Sequence, residues 1–334
     1  MGEGWGEGGP LPLIPSSPRR RLYEPEATRG GEMGLSTRPS RLKSDLCNDM
    51  RDSLKETQPQ TLIFTDLDGT LLDDQTYDFT PALPALKIIH SRKIPLILVS
   101  SKTRAEMEFF RELLSLESPF IAENGGGIFF PTSFALPKEY SYKSVVGFHA
   151  LFIGGPIKEV LERSRKLKEY FNFRGFSEMT VKEIASLTGL TLENALRASK
   201  REFDEPILLE DLLDDREIFC KKAAQYGLDC VYGGRFIHLF LGGNKGRAVE
   251  TVLEIYRKLR GPTFSIALGD SPNDISMLKV VDKAVLMQSR DGTDISDLAH
   301  PDLITLEGNG PEAWNKVMLS ILEDLKNRKL VAES

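Results

Sequence analysis

Long apolar runs are missing from this 334-residue chain. No stretch approaches the roughly 20 residues that a membrane-crossing helix needs. Near the N-terminus only LPLIP is apolar, short of the roughly 7–15 residues at the centre of a secretory signal. Cysteine is scarce: Cys47, Cys220 and Cys230 are odd in number and form no CxxC pair, so three reduced thiols are expected. An excess of positive charge is also lacking. The net charge of −6 speaks against a general nucleic-acid binder. No internal repeat is visible. These absences leave a cytoplasmic protein whose partner is a small molecule, with neither membrane nor nucleic acid.

Hydrophobic content of 40% and charged content of 28% are those of a soluble globular protein, and the length suits one large α/β domain or two domains. Residues 1–40 stand apart, with 8 Gly and 6 Pro. GEGWGEGGPLPLIPSSPRRR has neither helical nor strand periodicity and cannot bury enough apolar surface to offset its ordering entropy. Residues 1–58 are therefore expected to be a disordered extension. Met33 and Met50 both precede the first expected strand, so a start placed too far upstream is the competing account.

From residue 60 a rhythm begins. TLIFTD and KIPLILVSS are oily strands that run into polar turns, and AEMEFFRELLSLE is helical. PFIAENGGGIFF gives two short strands around a glycine-rich turn. Later, GRAVETVLEIYRKLR is a helix, FSIALGDSPND a strand with a polar turn, KAVLM and DLITL short strands, and PEAWNKVMLSILEDLKNRK a closing helix. Continuous apolar strands alternating with helices predict a Rossmann-like parallel sheet with helices on both faces. The segment 140–240 breaks the rhythm with an α+β mixture that includes SVVGFHALFIG as a strand and TVKE as a capping box. It is read as an inserted domain, with 59–139 and 241–334 forming the core.

The stretch TLIFTDLDGTLLDD places Asp66 and Asp68 one residue apart at a strand end, where two carboxylates raise each other's pKa unless a cation compensates. In open parallel sheets ligands bind beyond the carboxyl ends of the strands. Four polar clusters fall at such ends: Asp66 to Thr70, Ser100-Ser101-Lys102, Glu123-Asn124-Gly125, and Gly269 to Asp274. A fifth, GGNKG with Lys245, sits where the insert rejoins the core. Gathered in one crevice, they supply carboxylates for a hard cation such as Mg²⁺, a lysine for an anion, and hydroxyl and amide donors for phosphate oxygens. A carboxylate in line with phosphorus can form an aspartyl-phosphate, and a second one two residues on can move the protons.

These residues resemble the haloacid dehalogenase-like hydrolases, and the insert resembles the type IIB cap of their Cof-like branch. The resemblance implies Asp66 as nucleophile, Asp68 as general acid and base, Ser100 (favoured over Ser101) on the phosphoryl group, and Lys245 neutralising it. It also implies Mg²⁺ held by Asp66, the main-chain carbonyl of Asp68 and Asp270, with Asp274 in support and Asn273 facing the site. The finer stretches VSSKTRAEM, ENGGGIFFP, REFDEP and RFIHLFLGGNKG look like the mannosyl-3-phosphoglycerate phosphatases. A substrate with a sugar and a carboxylate calls for cations and hydroxyl-binding groups. Lys102, Thr103 and Arg104 are the candidates from the core, and Arg201, Arg235 and His238 those from the cap. Glu123 and Asn124 are candidates for substrate contact or for orienting the loop. The alternatives are a phosphatase of a glucosyl ester or a sugar phosphate, a phosphomutase, and a phospho-aspartate protein that does not turn over.

Overall fold

Apolar strand residues here sort by parity. In β1 (Gln60–Thr65) Leu62 and Phe64 enter one core and Ile63 the other. In β2 (Leu96–Val99) Leu96 and Leu98 part from Ile97 and Val99 in the same way, and in β11 (Thr263–Gly269) Ile266 and Leu268 part from Ala267. Successive side chains point to opposite faces of a strand, so an unbroken oily run needs cover on both. That cover is present. Helices α1 (Leu83–Ser91), α2 (Arg104–Leu113) and α9 (Gly310–Ala332) pack on one face, α7 (Lys245–Arg260) and α8 (Ile275–Leu278) on the other.

The computed structural model describes residues 59–209, 216–233, 236–288 and 298–332. The extension expected at 1–58 and the candidate Arg235 lie outside the described residues. The remaining strands of the main sheet are β3 (Phe120–Ala122), β4 (Gly127–Pro131), β5 (Lys143–Val145), β6 (Phe148–Phe152), β12 (Lys283–Met287) and β13 (Leu303–Leu306). Its order is β13-β12-β11-β1-β2-β3-β4-β6-β5, parallel as far as β3 and antiparallel beyond. Among the described residues no helix is long and apolar enough to cross a membrane.

A second, antiparallel sheet has the order β7 (Phe173–Gly175), β8 (Asp204–Leu209), β10 (Phe236–Phe240), β9 (Asp229–Gly233). Helices α3 (Ile157–Ser164) and α6 (Arg216–Gln225) pack on one core of this cap, α4 (Val181–Thr188) and α5 (Leu192–Ala198) on another. The expected capping box opens α4: Thr180 Oγ1 accepts from the Glu183 amide, and the Glu183 carboxylate accepts from the Thr180 amide at 2.7 Å.

Within the stretch 140–240 read as the insert, β6 pairs onto β4 and β5 onto β6, so both strands belong to the main sheet. An apolar run announces a strand but not its partner, and pairing is a long-range choice. The cysteines are not all free: Cys220 on α6 and Cys230 on β9 form a disulfide, with Cα atoms 5.5 Å apart. A separation of 10 residues spanning a helix-to-strand turn offers no spacing motif to read.

Candidate active site

Because β1 and β11 are parallel neighbours, the residues that follow them emerge side by side. Asp66 comes one residue after β1, its amide donating to Leu268 O at 3.0 Å, and Asp270 directly follows β11. Gly69 allows the two loops to close: its φ is +72°, and a Cβ there would lie 2.4 Å from an oxygen of Asp270. Thr70 Oγ1 donates to Asp270 Oδ1 at 3.2 Å. Lys245, the first residue of α7, is 1% exposed and donates to Asp66 Oδ1 at 2.8 Å and Asp274 Oδ1 at 2.7 Å. The other oxygen of Asp274 accepts from the amides of Asp270 and Ser271, each at 3.1 Å, and from Ser271 Oγ at 3.0 Å.

Carboxylate oxygens of Asp66, Asp270 and Asp274 lie within 4.8 Å of one another, so three acids share one lysine. Burial first, and then the charges of Asp274 and Asp68, push Asp66 up to about 7 against the pull of Lys245. Asp270 goes up to about 8, by burial and then by Asp274 and Asp66. Burial would lower Lys245, but the two acids outweigh it and hold the amine charged. Asp274, with its hydrogen bonds already made, is the holder of the cluster. Asp66 and Asp270 are its open donors.

Asp68 pairs with Lys102 Nζ at 2.8 Å, and that amine lies 4.8 Å from the centre of the Tyr77 ring. Among the described residues, Asp68 Oδ1 is buried without a partner. Of the two serines after β2, Ser101 lines the cavity described below. Ser100 is 1% exposed, and its Oγ accepts from the Lys102 amide at 3.3 Å. Both serines thus stand at the carboxyl end of β2, Ser101 on the cavity wall and Ser100 behind it. Behind the site, Trp314 of α9 is fully buried and donates through Nε1 to Thr65 Oγ1 at 3.0 Å, and that hydroxyl donates to Asp66 O at 2.8 Å.

Several expected substrate contacts join core to cap instead. Thr103 caps α2 and donates to Arg197 O at 2.9 Å, and Arg104 pairs with Glu202 at 2.7 Å. Glu123 accepts from the amides of Glu202, Phe203 and Asp204 at 3.0, 2.7 and 2.9 Å. Burial and then the Asp204 charge push it up to about 8. Asn124 donates to Asp204 Oδ2 and accepts from Asn273 Nδ2, both at 3.1 Å. Glu123 and Asn124 both adopt positive φ, 49° and 55°. Gly125 (φ +94°) lets the turn lie against the chain before Lys245, where a Cβ would meet Asn244 O at 2.2 Å.

Between core and cap is a cavity of about 530 Å³. Asp66, Asp68, Asp270 and Asn273 line its core side, with Ser101 and Lys102 beside them, and Arg201 and His238 lie on the cap side. His238 has a partner at one nitrogen: Nδ1 is 2.9 Å from Asp204 Oδ2, while the ring lines the cavity. Asp204, Tyr77, Phe176 and Phe236 went unread. The first opens a strand in REFDEP, and the others look like ordinary core aromatics until the cap folds over.

A family model for haloacid dehalogenase-like hydrolases matches residues 63–152 and 236–293. The chain belongs to this hydrolase family, in its class of phosphoric monoester hydrolases. Among its relatives is a glucosyl-3-phosphoglycerate/mannosyl-3-phosphoglycerate phosphatase of Persephonella marina, 36% identical over 79% of this chain and 98% of its own length. A phosphatase of the same name from Methanococcoides burtonii is 37% identical over 78% and 97%. A solved subclass IIB sugar phosphatase shares the fold at 18% identity, with a TM-score of 0.53 over 78% of this chain and 98% of that one.

Proposed function

We propose that the chain is a Mg²⁺-dependent phosphatase that hydrolyses mannosyl-3-phosphoglycerate to mannosylglycerate and phosphate. One observation carries this reading: a cluster of three carboxylates around buried Lys245 opens into a cavity whose cap side bears an arginine and a histidine. The donor set fits a hard divalent cation. It is all oxygen, its acids are crowded within 4.8 Å, and burial drives two of them to hold protons unless a cation arrives. Asp66 and Asp270, with the main-chain oxygen of Asp68, would hold the ion, and Asp274 would brace them. Once bound, Mg²⁺ would supply charge neutralisation for the acids and for the substrate's phosphate oxygens.

Lys245 occupies one oxygen of Asp66 and so orients the other toward the cavity. That oxygen attacks phosphorus, the ester P–O bond breaks, and Asp68 gives its proton to the departing alkoxide. Water then attacks the aspartyl-phosphate, Asp68 takes its proton back, and the Asp66–phosphorus bond breaks. Ser101 is the hydroxyl beside the transferred group. Lys102, bonded to Asp68, keeps the acid–base carboxylate in place.

The relatives' names put the glucosyl ester beside the mannosyl one, so it is the second reading. The test is phosphate release from both esters, 3-phosphoglycerate and mannose 6-phosphate, with Mg²⁺ and with chelator. Strong preference for the mannosyl ester, lost with chelator, is the expected result. Equal release from mannose 6-phosphate would discard the substrate, and release unaffected by chelator would discard the cation.

A further inference from the structure

Asp204 is wholly buried at the start of β8, and every contact of its carboxylate is a donor. Arg201 Nη1 reaches Oδ1 at 2.8 Å; Asn124 Nδ2 and His238 Nδ1 reach Oδ2 at 3.1 and 2.9 Å. Burial alone would raise this acid, but Arg201 and then His238 outweigh it and hold it below the usual carboxylate range. An ionised carboxylate only accepts, so the hydrogen on the His238 ring must sit on Nδ1. In the tautomer that this contact selects, Nε2 is bare and faces away from Asp204. His238 is 5% exposed, lines the cavity, and has no partner for Nε2 among the described residues.

Arg201 is placed by the same anchor. Its Nε donates to Ala198 O at 3.0 Å and its Nη1 also to Ser101 O at 2.7 Å, which leaves Nη2 as the donor without a partner among the described residues. One acid thus presents an acceptor and a cationic donor on the same wall, across the cavity from Asp66.

We propose that Asp204 is a positioning residue that sets His238 to accept a hydrogen bond from a sugar hydroxyl and Arg201 to donate to a carboxylate of the group that is not transferred. This rests on the substrate class proposed above. The asymmetry matters for specificity, because a site that hydrogen-bonds a hydroxyl rejects an analogue lacking it far better than an apolar pocket can.

The test has two readouts. With only four histidines in the chain, a long-range proton–nitrogen spectrum with mannosylglycerate bound resolves the His238 ring, assigned by its loss in His238→Phe. A protonated Nδ1 and bare Nε2 in the wild type, shifting toward the other tautomer in Asp204→Asn, is the expected result. A proton on Nε2 in the wild type, alone or together with one on Nδ1, would overturn the proposal. By calorimetry, Asp204→Asn should weaken mannosylglycerate binding roughly tenfold or more, the scale of one lost hydrogen bond to a charged group. Its kcat/KM on p-nitrophenyl phosphate, which has neither sugar nor carboxylate, should fall far less. Equal losses on both would make Asp204 a structural residue and overturn the proposal. If Asp204→Asn does not fold, His238→Phe decides, since the Arg201–Asp204 pair survives it: unchanged affinity for mannosylglycerate overturns the proposal. A wild type that releases no phosphate from any ester sinks the phosphatase reading, while the spectrum and the titration still judge Asp204.

Discussion

Asp66 and Asp204 are both buried aspartates at sheet ends, and their surroundings push them in opposite directions. Asp66 shares one lysine with two further acids and is driven up to about 7. Asp204 makes direct contact with an arginine and a histidine and is held below the usual carboxylate range. Burial opposes the charged form in both places, so the ratio of cations to acids decides the outcome. The core cluster is one cation short and is completed by what it binds. Asp204 already has its cationic partner in Arg201. On the proposed reading, chemistry and recognition are separated by the charge around each acid within one cavity.

Removing the proposed nucleophile should have the largest effect. Asp66→Asn is expected to cut phosphate release by about four orders of magnitude or more, the scale of losing a covalent catalyst's attacking group. Asp68→Asn should slow release severely and let phosphoenzyme accumulate, which mass measurement of a quenched reaction would detect. Near wild-type turnover in either variant would break the core side of the comparison. Lys245→Met leaves three acids without a cation, and loss of one partner from a buried pair costs about 3–5 kcal/mol. Chemical denaturation at pH 8 should show that loss. The same variant should suffer less at pH 5.5, where the acids can hold protons.

The pH dependence of the parent sharpens this. A carboxyl with its folded pKa raised keeps its proton in the folded chain after the unfolded chain has lost it. Stability contributed by Asp66 and Asp270 is therefore full below the ordinary value of 3.8 and is lost as pH rises toward 7–8. The metal-free protein should melt several degrees lower at pH 8 than at pH 5.5. Added Mg²⁺ should restore more at pH 8, and an equal Mg²⁺ shift at both would contradict the account of the cluster. Gly125→Ala forces a Cβ against Asn244 O at a φ of +94° and is expected to cost about 1–3 kcal/mol. Arg104→Ala, which removes a half-exposed pair with Glu202, should cost less than about 1 kcal/mol.

The core side was legible because its residues ride on strands. Asp66 and Asp270 each directly follow one, so once the parallel sheet is inferred their meeting is a consequence of topology. Lys245 stood out as a lysine at a helix start, where the dipole disfavours it. The cap side was legible only as residue types. Asp204 draws its partners from positions 124, 201 and 238, and no spacing links them. Glu123 reads equally well as a ligand or a prop until its carboxylate is found gripping three cap amides. Ser100 and Ser101 are neighbours in a turn, and sequence alone does not say which hydroxyl the turn's own hydrogen bond engages. SVVGFHALFIG reads as one strand within the insert, whereas β5 and β6 form there and extend the main sheet, since local pattern fixes conformation and not partner.

The contact from Trp314 to Thr65 has an optical consequence. The chain contains two tryptophans, and Trp5 lies outside the described residues. Trp314 sits one hydroxyl away from the main chain of Asp66, so its indole reads the polarity and packing behind the nucleophile. On the proposed mechanism, each turnover that loads and unloads Asp66 would pass within reach of this built-in fluorophore. In a Trp5→Phe background, single-turnover emission traces would time formation and loss of the aspartyl-phosphate on the unlabelled chain.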